Sequence, residues 1–95
     1  MKLPQNFPYI LNETKVIFAA RPKCPSLIHD LETKVTVTIS YYALGQRCKC
    51  SKVCLFSLDD HFKVVGNEFF KTVEKAMNSL EPDGLVLRDW KFLKH

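Results

Sequence analysis

The chain has 95 residues, of which 46% are hydrophobic and 25% are charged, and its formal net charge is +4. This length suits one domain, and the apolar content is too high for a disordered chain. The modest positive charge permits an acidic partner but does not require one. We therefore expect residues 1–95 to form a single domain. Residues 1–12 hold two prolines and no clear apolar period, which predicts an extended N-terminal arm.

The sequence favours an intracellular location, cytoplasmic or nuclear. No apolar run approaches the roughly 20 residues of a membrane-spanning helix, so no membrane association is expected. Residues 1–20 make a poor signal peptide, because prolines, asparagines and charged residues interrupt their apolar stretch. The glycosylation sequon Asn12-Glu13-Thr14 favours secretion instead, but so short a pattern often occurs by chance.

Two strands are predicted in the first half of the chain. Residues 15–20 form a short apolar run that Pro22 ends, because proline cannot donate to a sheet ladder. Residues 26–32 are interpreted as a helical turn or a loop. Residues 34–42 give the clearest pattern, since apolar and polar side chains alternate throughout. One covered face and one exposed face are typical of an antiparallel sheet.

A hairpin is predicted after the second strand. Leu44-Gly45 is interpreted as its two-residue loop, which places Cys48 and Cys50 on the core side of the returning strand. Cys54 follows them inward if that strand continues in register. Lys52 would then point into the core, and a β-bulge near it would relieve the conflict.

The region after residue 57 has two interpretations. In one, a long helix starts at Ser57 and continues to Leu80 with a single apolar stripe. In the other, which we favour, residues 62–65 are a short strand or loop and Gly66-Asn67 starts the helix. Glycine costs about 1 kcal/mol inside a helix, and asparagine is a good N-cap. Both interpretations predict an amphipathic helix over residues 68–80.

The C-terminal part is predicted to turn at residues 81–84 and to close as an edge strand over residues 85–93. The expected fold class is therefore α+β. It comprises a small antiparallel sheet of four to five strands with one main amphipathic helix packed on one face.

The cysteines allow three interpretations. Burial as core thiols is favoured, because cysteine is among the most buried residue types. Zinc is less favoured, because an extended strand holds Cys48 and Cys54 about 20 Å apart, whereas tetrahedral zinc needs sulfurs within roughly 4 Å of each other. A disulfide requires export. The low-probability zinc ligands are Cys24, Cys48, Cys50 and Cys54, and no cofactor is expected.

No enzyme activity is expected. The sequence has no glycine-rich phosphate loop and neither the HExxH nor the GxSxG motif. Asp59-Asp60-His61 is interpreted as a solvated turn, because sequence neighbours do not usually place a carboxylate to orient a histidine base. No small-molecule substrate is evident.

The favoured function is a non-catalytic protein-interaction module, a subunit or adaptor that binds another protein or a second copy of itself. Contacts are expected on the polar face of the 34–42 strand and at the C-terminal edge strand, where tryptophan and arginine are typical of interfaces. The predicted partner-binding residues are Lys34, Thr36, Thr38, Tyr42, Arg47, Lys49, Arg88 and Trp90.

Two alternative functions remain open. The first is a small basic nucleic-acid-binding protein, in which Lys34, Arg47 and Lys49 contact phosphates and Tyr42 stacks on a base. The second is a secreted factor stapled by disulfides, which depends on the sequon and the cysteines.

Overall fold

The computed structural model describes residues 3–4, 6–22, 26–29, 36–46 and 52–93. The described strands are β1 (Ile10–Leu11), β2 (Thr14–Ala20), β3 (Ser26–His29), β4 (Thr36–Ile39), β5 (Tyr41–Gln46), β6 (Val53–Leu58), β7 (Val64–Phe70) and β8 (Lys91–Phe92). One helix, α1 (Val73–Asn78), and two 3₁₀ turns, Glu81–Asp83 and Leu87–Asp89, complete the elements found in these ranges.

The predicted α+β class is wrong. The described part of the chain is mostly β: a curled antiparallel sheet of six strands with a helix of only six residues. The main path of the sheet is β1-β2-β5-β6-β7, and β8 pairs with β2 on the edge that β1 also uses. Strands β3 and β4 form a separate two-stranded sheet.

The predicted first strand, residues 15–20, is confirmed as β2. The tight turn before it joins β1 to β2 through Asn12 and Glu13, whose φ angles are 47° and 64°. Two consecutive positive φ angles are typical of a two-residue hairpin loop, because their twist matches that of the flanking strands. Thr14, the first residue of β2, is fully buried and its hydroxyl donates to the Asn12 carbonyl at 3.3 Å.

The predicted hairpin loop at Leu44-Gly45 is wrong, because β5 runs straight through both residues. Gly45 pairs with Val16 of β2 on one side and with Cys54 of β6 on the other. A Cβ at Gly45 would lie 2.5 Å from the Lys15 carbonyl oxygen. The glycine therefore permits a close approach of two backbones, beside an irregularity in the β2–β5 register, rather than a turn.

The predicted 34–42 strand is divided between two sheets. Of its described residues, Thr36–Ile39 form β4 and pair with β3, whereas Tyr41 begins β5 in the main sheet. Ser40 lies between them, and its backbone N–H donates to the Leu58 carbonyl at 2.8 Å. The chain changes sheets at this residue, which ends the alternating pattern.

The long helix from Ser57 is wrong, and the favoured interpretation is right about a strand or loop at residues 62–65 but wrong about a helix start at Gly66-Asn67. Residues 64–70 form β7, in which Phe70 pairs with Val53 and Phe69 with Cys54. Gly66-Asn67 lies inside the strand rather than at a helix start. Pairing with β6 satisfies the backbone hydrogen bonds of this segment, which is rich in valine and phenylalanine. Such tertiary contacts outweigh a weak helical pattern of apolar residues.

The helix begins later than either interpretation expects. Thr72 is its N-cap, and the Thr72 hydroxyl accepts a hydrogen bond from the Lys75 N–H at 3.1 Å. Threonine is a good N-cap because its oxygen satisfies a backbone donor that has no partner within the helix. Helix α1 therefore follows β7 directly and covers one side of β6 and β7.

The predicted strand over residues 85–93 shrinks to the two residues of β8. Gly84 ends the first 3₁₀ turn with a φ of 90°, a conformation that glycine adopts without steric cost. The second turn is fixed by Asp89, whose carboxylate accepts from the Val86 N–H at 2.9 Å. Leu85, between the turns, is fully buried. The segment thus packs as turns and only then joins the sheet edge.

The core lies on both faces of the sheet. We call the side under α1 the helix face; it holds Tyr42, Leu44, Val53, Leu55, Ala76, Met77, Leu80, Leu85 and Trp90, among others. We call the other side the arm face, because the N-terminal arm contributes to it; it holds Phe7, Leu11, Val16, Ala19, Ala43, Cys54, Phe56, Leu58 and Leu93.

The N-terminal arm closes the arm face. Phe7 is buried, and its ring packs edge-on against Tyr41 at 5.6 Å and Phe62 at 5.3 Å between centroids. Tyr9 and Ile10 are exposed, so only part of the apolar arm is covered. No helix in the described ranges is long and apolar enough to cross a membrane.

Candidate partner-binding surface

A groove of about 620 Å³ opens between α1 and the start of β8. Its apolar walls are Phe18 of β2, Val73 and Met77 of α1, and Trp90, which immediately precedes β8. Val73 and Met77 share a helix face because they are four residues apart. The charged residues in its lining, Glu74 and Glu81, are both acidic, and Asn78 completes the lining.

The apolar surface extends beyond the groove through Phe92. The β2–β8 register places Phe92 opposite Phe18, and their rings pack edge-on at 5.4 Å between centroids. Phe92 is nevertheless 58% exposed. A large aromatic side chain left in water beside an apolar groove is typical of a binding surface.

A basic pocket of about 290 Å³ lies next to the groove. Its lining comprises Arg21, Arg88, Asp89, Trp90 and Lys91. The antiparallel pairing of Ala19 with Lys91 brings the end of β2, and hence Arg21, to the residues that precede β8. The three cations are all exposed. The groove and the basic pocket together are called the C-terminal surface below.

Trp90 belongs to the lining of both the groove and the basic pocket. Its side chain is only 9% exposed, and its buried indole N–H has no hydrogen-bond partner among the described residues. A buried donor without an acceptor costs about 1–3 kcal/mol. Because this nitrogen is itself buried, an acceptor in the groove would reach it only if the indole side chain moved.

The structure brings two of the predicted partner-binding residues together, since Arg88 and Trp90 line the same pocket. Thr36 and Thr38 are exposed, as predicted, but on β4 in the separate small sheet. Tyr42 was expected on an exposed face; that position is wrong, because its side chain is 4% exposed and lies on the helix face. Lys34, Arg47 and Lys49 lie outside the described residues.

The cysteine predictions can be followed at one position. Cys54 is 3% exposed and packs on the arm face, where the core interpretation expects a cysteine to lie. Cys24, Cys48 and Cys50 lie outside the described residues, so the zinc and disulfide interpretations stay predictions. Within the described ranges no group of three or more metal-binding side chains is found.

Asp59-Asp60-His61 lies in an exposed turn between β6 and β7, as predicted. The Asp59 carboxylate accepts backbone hydrogen bonds from His61 and Lys63, each at 2.9 Å. The His61 Nε2 lies 3.7 Å from the Asp60 carboxylate, but both side chains are more than three-quarters exposed. Water therefore surrounds this pair, as expected of a solvated turn.

Sequence reasoning identified Arg88 and Trp90 but missed the other residues that line the C-terminal surface, among them Phe18, Arg21, Met77 and Lys91. Phe18 lies in β2 and Arg21 directly follows it, and only the pairing of β2 with β8 brings them to Trp90. To find them, one would have to know that the C-terminal strand pairs with β2. The pattern of apolar residues within either segment does not reveal that pairing.

Comparisons with protein-family models, with curated proteins and with solved structures find no match. Function is therefore inferred from the chemistry of the C-terminal surface. This surface offers an apolar groove, a tryptophan that the groove and the basic pocket share, and two regions of opposite charge.

Proposed function

We propose that this chain is a non-catalytic protein-interaction module, a subunit or adaptor that works inside the cell and binds another protein through its C-terminal surface. The observation that carries the proposal is the groove walled by Phe18, Met77 and Trp90, with Phe92 exposed beside it. Tryptophan in a concave apolar site is typical of interface hot spots. Methionine adapts its shape to a partner side chain.

The nucleic-acid alternative receives less support from the described residues. Tyr42, its base-stacking residue, is buried in the core and has no exposed ring face to offer. Arg21, Arg88 and Lys91 could contact phosphates, but the groove beside them is apolar and has acidic residues in its lining. Carboxylates repel a phosphate backbone, so this surface suits a polypeptide better.

The proposal can be tested by selecting random phage-displayed peptides against the folded chain and observing the bound peptides by heteronuclear NMR. Trp90 is the only tryptophan in the sequence, so its indole N–H gives one resonance. We expect enriched peptides to shift this resonance. Phe92→Ser should weaken their binding about tenfold, as expected for the loss of one aromatic contact at an interface.

Phe69→Ser is the matched control, because Phe69 is 52% exposed on β7, far along the sheet path from β8. It should leave peptide affinity unchanged. Failure to enrich any peptide would refute the proposal, as would peptides that leave the Trp90 resonance unshifted. If single-stranded RNA shifts that resonance instead, with a steep loss as salt rises, the nucleic-acid alternative replaces it.

A further inference from the structure

We propose that the partner presents an extended acidic segment. One of its apolar residues fills the groove, and carboxylates close to that residue in sequence occupy the basic pocket. This inference rests on the proposed function and adds the chemical class of the ligand. It follows from the charges around Trp90, the residue that the groove and the basic pocket share.

The basic pocket has an excess of positive charge. Arg21, Arg88 and Lys91 line it together with a single carboxylate, Asp89, which already accepts the Val86 N–H. Guanidinium groups bind carboxylates through two parallel hydrogen bonds, which adds direction to the attraction. Two arginines and a lysine from two chain segments therefore fit aspartate or glutamate side chains of a partner.

The position of Trp90 links the carboxylates to an apolar anchor. Residues of an extended peptide are about 3.3 Å apart, so side chains two or three residues apart can lie on either side of one indole ring. The buried indole N–H lacks an acceptor within the described residues. If the indole side chain shifts when a segment binds across it, a carbonyl or carboxylate oxygen of that segment would supply one.

The acidic lining of the groove sets the direction of the segment. Glu74 and Glu81 repel carboxylates and attract cations, whereas Arg21, Arg88 and Lys91 do the reverse. The favoured segment is therefore neutral or basic at the groove side of its anchor and acidic at the other side. Opposed charges of this kind fix orientation and exclude partners of reversed polarity.

The test uses the peptides enriched from the random phage library and a charge-reversed variant of the chain, Arg88→Glu with Lys91→Glu. We expect the enriched peptides to carry acidic residues on one side of an apolar anchor. Their affinity for the variant should fall about tenfold or more, since two exposed attractive charge pairs become repulsive. Raising the salt concentration should weaken binding to the unchanged chain and strengthen it for the variant.

The control variant is Lys63→Glu with Lys71→Glu, which makes the same change in net charge at exposed positions flanking β7. It should bind the peptides as the unchanged chain does. Peptides that shift the Trp90 resonance without an acidic preference, and that bind the Arg88→Glu, Lys91→Glu variant normally, overturn this inference and leave the proposed function standing. If no peptide is enriched at all, both fail. If single-stranded RNA displaces the peptides at lower concentration than they bind, the anion is phosphate and the inference is wrong.

Discussion

Strand β5 lies inside the sheet and β7 lies at its edge, and the two strands differ in how much of their surface is buried. Four of the six residues of β5 are buried, whereas none of the seven in β7 is. Strand β5 has neighbours on both sides, β2 and β6; β7 pairs with β6 alone among the described strands. Strand β5 is covered on both faces, so its sequence lacks the alternation of apolar and polar residues that a half-covered strand shows. Strand β7 is exposed at the edge, so its sequence lacks the continuous apolar run of a covered strand.

The difference also determines what each glycine does. Gly45 of β5 faces the β2 backbone so closely that a Cβ would overlap the Lys15 carbonyl. Gly66 of β7 is 3.8 Å from its nearest neighbour, the Ser57 side chain, which is ordinary contact. Glycine is thus a packing requirement inside the sheet and a replaceable residue at its edge.

The largest expected effect separates these two glycines. Gly45→Ala should destabilise the fold by about 5 kcal/mol or more, enough to unfold a small domain, because backbone atoms must move apart. Gly66→Ala should change the free energy of unfolding by less than about 1 kcal/mol. Urea unfolding followed by circular dichroism measures both. If Gly45→Ala lowers the free energy of unfolding as little as Gly66→Ala does, the backbones of β5 and β2 can move apart without loss of stability. That result would contradict their close approach.

Two phenylalanines on the neighbouring strands β6 and β7 differ widely in burial. Phe56 of β6 is 1% exposed and Phe69 of β7 is 52% exposed. Phe56→Ala should cost about 3–5 kcal/mol, because it leaves a cavity in the arm-face core. Phe69→Ala should cost under about 1 kcal/mol, since much of its surface is already in water. If urea unfolding shows that Phe69→Ala lowers the free energy of unfolding as much as Phe56→Ala, another part of the chain or a second copy must cover β7.

The smallest expected effect concerns the point where the edge strand passes into the helix. Thr72→Ala removes the oxygen that accepts the Lys75 N–H and should cost about 1 kcal/mol. Thr72→Ser keeps an oxygen in place and should recover most of that loss. Thermal unfolding of the two variants provides the comparison, and identical melting temperatures would argue against a helix start at Thr72.

The same contrast explains which strands the sequence could predict. Strand β2 was predictable because an apolar run ends at Pro22, and proline stops a ladder whatever the tertiary context. Strand β5 was not, because Leu44-Gly45 also fits a hairpin loop and the close approach of β2 is invisible in a local window. Strand β7 was not, because Phe69, Val73 and Met77 follow the helical period although the first lies in a strand and the other two in α1.

The residues of the candidate site also fall into two groups, those that the sequence could identify and those that only the fold brings to the surface. Arg88 and Trp90 were identified because arginine and tryptophan near an exposed edge are typical of interfaces. Phe18 and Arg21 reach the same surface only through the pairing of β2 with β8. Pairing between segments so distant in the chain depends on the whole fold, so the shape of the groove and the polarity of its charges could not be predicted from one sequence.

The tight turn between β1 and β2 restricts when Asn12 could be glycosylated. Asn12 lies on the turn and is exposed, but Thr14 of the same sequon is fully buried at the start of β2. An acceptor sequence has to be open to the enzyme that attaches the sugar. A glycan on Asn12 would therefore show that the chain entered the secretory route and was modified before the hairpin closed, so the turn sets a time limit on that modification.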